Sequence, residues 1–66
     1  MGERIKKLRE QRKVSREWLA AMLKCDLISV ECWEEGRMRP SREFIEKLSV
    51  FFKVSTDFII NGGDAV

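Results

Sequence analysis

The stretch REWLAAMLKCDLISVECWEEG, Arg16 to Gly36, decides the fold. Leu19, Ala20 and Leu23 fall at i, i+1 and i+4, the buried stripe of a short helix over about 16–23. Val30 and Trp33, at i and i+3, give a second helix its stripe over about 27–35. Between them, Lys24-Cys25-Asp26 reads as a tight turn. Asp26 is expected to cap the second helix by accepting from its unpaired N–H groups. Gly36 then takes a left-handed, helix-ending conformation without steric cost. Two helices this short, about a dozen Å each, cannot bury their stripes alone. They need neighbours.

The flanking sequence supplies three. Upstream, Ile5 and Leu8 mark the inner face of a first helix over about 2–12. Lys13-Val14-Ser15 breaks it, Ser15 can cap the next helix, and Glu17 suits the positive end of that helix dipole. Downstream, Pro40 biases Arg39 away from helical geometry, and Ser41 caps a fourth helix over about 42–53. Its apolar face is wide: Phe44, Ile45, Leu48, Phe51 and Phe52. Val54-Ser55 makes another break, and Ser55 caps a last helix, about 56–61, carrying Phe58, Ile59 and Ile60. Asn61-Gly62-Gly63 ends it, leaving a tail, 62–66, expected to fray. The reading is one all-α domain over 1–66, five helices and no sheet.

Composition narrows the function. There is no histidine, which removes the usual metal ligand and the usual general base. No glycine-rich phosphate loop or nucleophile elbow occurs. Neither an enzyme nor a metal- or cofactor-bearing protein is expected. Cys25 and Cys32 are poorly placed to bridge each other, which suits a reducing, cytoplasmic setting. No apolar run approaches the roughly 20 residues that cross a membrane. Charge is unevenly spread: residues 1–15 carry +4, residues 25–36 carry −4, and residues 37–42 carry +3. A basic rim therefore flanks an acidic centre.

The spacing of Leu8-Arg9-Glu10 and Arg12, Ser15, Leu19-Ala20, Val30, Trp33-Glu34, Gly36, Pro40-Ser41, Leu48 and Val54-Ser55 resembles a known family. It is that of the Cro/phage-repressor-type (Xre-like) helix-turn-helix domains, and the likeness runs from about residue 3 to 62 without a gap. The resemblance implies a compact five-helix, lambda-repressor-like DNA-binding domain. Its helix-turn-helix would lie at about 16–35, with helix three in the major groove of double-stranded DNA. It implies a transcription regulator, a repressor in many relatives, acting as a homodimer. Arg16, Arg37, Arg39, Ser41 and Arg42 match the positions that hold phosphates. Leu27, Ile28, Glu31 and Cys32 match the base-reading face. Arg9 and Glu34 match a structural pair, and Phe58 and Ile59 a dimer contact.

This chain departs from the family pattern on that face. Asp26, Leu27, Ile28, Glu31 and Cys32 offer none of the Arg, Lys, Asn or Gln side chains that read purines bidentately. Lys13 and Lys24 replace the glycines common at the two turns. Trp18 and Met22 stand where relatives are polar, and with Leu27 and Ile28 they suggest one exposed apolar patch. An alternative class follows: a helix-turn-helix fold used as a protein-interaction module, an anti-repressor or partner-docking domain, through the acidic, apolar face of helix three.

Overall fold

Three serines set the frame. In the computed structural model, which describes residues 1–62, Ser15, Ser41 and Ser55 each stand just before a helix in extended geometry. Their hydroxyls accept from the N–H groups of Trp18, Phe44 and Phe58 at 3.0, 3.4 and 2.9 Å, each satisfying one orphan donor of a first turn. The helices are α1 (Gly2–Gln11), α2 (Arg16–Leu23), α3 (Leu27–Glu35), α4 (Arg42–Phe52) and α5 (Thr56–Asn61). The described residues contain no strand. α1 and α4 stop one residue short of expectation. Arg12 closes α1 as its cap, and Lys53 turns left-handed after α4.

Asp26 corrects one expectation. It occupies the capping position of α3, but its carboxylate makes no capping bond and lies exposed. Its backbone carbonyl accepts from Ser29 and Val30 instead, at 3.0 and 3.4 Å.

Lys13, Lys24 and Lys53 have φ of 58°, 60° and 58°, a region that costs an L-residue about 1–2 kcal/mol. Each lysine is followed by a residue whose N–H reaches back five positions: Val14 to Arg9, Cys25 to Ala20, Val54 to Ser49. That is the bonding of a Schellman end, in which an apolar residue after the left-handed one folds back onto the helix. Cys25 and Val54 pack against the core in this way. Apolar anchoring thus holds the conformation that glycine would adopt unaided.

α1 and α2 pack against α3, and α4 packs against α2 and α5. The core gathers Ile5, Leu19, Ala20, Leu23, Val30, Trp33, Ile45, Leu48, Phe52 and Ile59, so every helix contributes. The stripes read from Leu19, Ala20 and Leu23 and from Val30 and Trp33 are all buried. Gly2 lets α1 approach the end of α3, since a Cβ there would run into the carbonyl oxygens of Trp33 and Glu34. At the other end of the chain, Arg4 donates from Nε to the Ile59 carbonyl at 3.1 Å and from Nη2 to that of Ile60 at 2.7 Å. Gly62 ends α5 in left-handed geometry. The rest of the tail expected to fray lies outside the described residues.

Candidate nucleic-acid interface

The presentation of α3 rests on a buried carboxylate. The Glu34 side chain is fully buried (0% exposed), a placement that demands paired charge. Oε2 accepts from Arg9 Nε at 2.7 Å, and Oε1 accepts from Arg9 Nη2 at 3.2 Å and Arg16 Nε at 3.0 Å. Arg9 also donates from Nη1 to the Val14 carbonyl at 2.9 Å. Its bond to Glu34 raises the guanidinium pKa still further, against the opposing effect of burial. One residue of α3 is thereby tied to α1 and α2 together. Among the described residues no buried side-chain nitrogen or oxygen lacks a partner.

Opposite this lock, Leu27, Ile28, Glu31 and Cys32 occupy i, i+1, i+4 and i+5 of α3 and share one outward strip. Ile28 is 69% exposed; the other three are half-buried. The four acids of this region do not act alike. Glu34 is neutralised inside the fold, and Glu35 pairs with Arg37 at 3.2 Å. Asp26 and Glu31 make no ion pair among the described residues. The negative charge left on the strip is about half what composition suggests.

The arginines expected at phosphates differ in how they are held. Arg16 is tied to Glu34, and Arg37 to Glu35. Arg42 makes an exposed i, i+4 pair with Glu46 at 3.5 Å. Arg39 is exposed, and it shares a shallow cavity with Arg42 beside Thr56 and Ile60. Ser41 is occupied as the cap of α4. Arg39, Ser41 and Arg42 therefore meet at the start of α4, while Arg16 stands apart at the start of α2.

Trp18 and Met22 are exposed, at 41% and 53%, as Ile28 is, and both also border α4. The Trp18 ring packs on Phe51 of α4, centroids 5.4 Å apart, and Met22 lines a groove with Val50 and Phe51. Their spacing puts them on one side of α2, and that side borders α4. Ile59 is fully buried, so its side chain serves the core and not a dimer contact; Phe58 and Ile60 are the half-buried members of that cluster. Cys25 and Cys32 are free and half-buried. Burial first, and the charge of Asp26 second, push the Cys25 thiol pKa up, which keeps it protonated near neutral pH.

Sequence reading missed Arg4, Arg12 and the bond from Arg16 to Glu34. Arg12 donates to the Phe52 carbonyl at 3.2 Å and lies near the Phe51 and Phe52 rings. The Arg4 and Arg12 bonds go to backbone carbonyls, which leave no trace in side-chain patterns. The Arg16–Glu34 pair is brought together only by the packing of α2 on α3.

The fold and this geometry define a helix-turn-helix domain, and comparison with known proteins agrees. The family model described as "Helix-turn-helix domain" matches residues 2–64, nearly the whole chain, and the chain belongs to that family. This is a DNA-binding family without enzymatic chemistry. Among curated proteins the chain is similar to the HTH-type transcriptional activator BcrR of Enterococcus faecalis, at 28% identity over 65 residues. That stretch is 98% of this chain and 32% of BcrR, so the chain spans about a third of its relative. No solved structure matches it. No helix among the described residues is long and apolar enough to cross a membrane.

Proposed function

We propose that this domain is a sequence-specific DNA-binding transcription regulator of the Cro/phage-repressor type, acting as a cytoplasmic homodimer. Family membership supports DNA-binding transcription regulation. The observation that carries the finer reading is the charge pairing on α3: Glu34 and Glu35 are met by arginines, which leaves a thin, mostly apolar strip between flanking cations. A helix fits the major groove, about 12 Å wide. There Leu27 and Ile28 contact thymine methyl groups and Glu31 accepts from cytosine N4, with Cys32 beside them. Arg16, Arg37, Arg39, Arg42 and the α4 N-terminus at Ser41 hold phosphates. Phe58, with Ile60, supplies the dimer contact, which sets two half-sites about one helical turn apart.

Selection of sites from a random duplex pool, followed by salt titration of the winner, tests this reading. The expected result is a two-fold symmetric site. Four arginine contacts per protomer give a slope of log affinity against log salt of about −3.6 for each. Failure to enrich any sequence at about 50 mM salt, a condition that favours phosphate contacts, with the domain folded, would overturn it. The alternative, a protein-docking module, draws on the exposure of Ile28. Capture of a protein partner that is lost in Ile28→Ser would favour it.

A further inference from the structure

Arg9 and Arg16 share one carboxylate but spend their guanidinium groups differently. Arg9 uses Nε, Nη1 and Nη2, all on protein acceptors, and its side chain is 11% exposed. Arg16 uses Nε alone, on Glu34, and its side chain is 32% exposed. Its two terminal nitrogens have no partner among the described residues. Arg16 is also the first residue of α2, where backbone N–H groups and the helix dipole favour an anion. A guanidinium gripped through Nε keeps one direction, so its Nη edge is presented without the rotamer entropy a free arginine loses on binding.

We propose that Glu34 is a positioning residue for DNA binding: its buried carboxylate aims the terminal nitrogens of Arg16 at a backbone phosphate. This rests on the DNA-binding reading above and adds a role to a residue otherwise read as a brace. It also reverses an electrostatic expectation. Removing an acid from a DNA-binding surface ordinarily strengthens binding, because it removes repulsion. Removing this one weakens binding, because Arg16 loses its aim. The exposed cations have no such support. Arg37 and Arg42 make ion pairs at the surface, where side chains reorient freely.

The test is a salt titration of binding to a random-sequence duplex by the wild-type chain, Arg16→Gln, Glu34→Gln and the double variant. Arg16→Gln should lower affinity about tenfold, the lower end of what a charge-assisted hydrogen bond contributes. It should also reduce the magnitude of the salt slope by about 0.9, one phosphate. Glu34→Gln, with helicity retained, should do the same, and the double variant should be no weaker than either single. Unchanged or tighter binding by Glu34→Gln overturns the proposal. Arg16→Lys leaves the Arg9–Glu34 bonds in place and covers the case in which Glu34→Gln does not fold. It keeps the charge and loses the fork, so it should bind about as weakly as Arg16→Gln. Wild-type affinity in Arg16→Lys overturns the proposal. A wild-type domain that is folded and binds no duplex removes the DNA-binding reading itself, a result that differs from both.

Discussion

The two ends of α3 are built to different standards. At its C-terminal end Trp33 is buried, Glu34 is held by two arginines, Gly36 closes the helix without strain, and α1 presses in through Gly2. At its N-terminal end a left-handed lysine precedes the helix, Asp26 makes no side-chain cap, and Ile28 lies in the open. One end is fixed by the fold. The other is left with little of its own. In the proposed groove-bound arrangement, the tightly held end of α3 positions the helix and the more exposed end meets the DNA.

Four substitutions sharpen or break that contrast. Glu34→Ala should cost most, about 3–5 kcal/mol, the range for breaking a buried ion pair; chemical denaturation would read it, and a loss under about 1 kcal/mol would mean the lock holds little. Gly2→Ala comes next at about 1–3 kcal/mol, an overpacking cost, because its methyl group would meet backbone carbonyls that cannot swing aside. An unchanged denaturation midpoint would show that α1 moves away from α3 at no cost. At the open end the sign turns. Lys24→Gly should stabilise by about 1 kcal/mol, raising the melting temperature by about 4–8 °C. A lower melting temperature would show that the lysine contributes something other than strain. Asp26→Ala should matter least, under about 0.5 kcal/mol against the usual cost of about 1 for a working cap. A full-sized loss would show that the carboxylate caps α3 in solution and that the two ends of the helix are held more nearly alike.

The same contrast governs what the sequence made legible. Ser15, Ser41 and Ser55 were readable as caps because a cap acts over three residues, and the three hydroxyls do so. Asp26 carries the same local signal, yet its exposed carboxylate makes no capping bond. Arg9 and Glu34 lie 25 residues apart, and only the family resemblance joined them in advance. Arg16 had a role from that resemblance but not its tether to Glu34, because a residue's distant partner is set by helix packing. Trp18 and Met22 show the limit in another form. Four-residue spacing says that two side chains share a face, and says nothing of which helix lies across from it. Ile59 was one of three adjacent apolar residues; the twist of α5 sends it inward.

The clamp of Arg4 on the Ile59 and Ile60 carbonyls gives the chain a closed circuit, because the first helix holds the last turn of the last one. α5 has six residues, too few to persist as an isolated helix, so its hydrogen-exchange protection depends on its packing against α4 and on the clamp from α1. Loss of the clamp from α1 is then expected to loosen the last turn of α5 as well. A lesion near Gly2 would be felt first as amide exchange around Ile59, at the opposite end of the sequence.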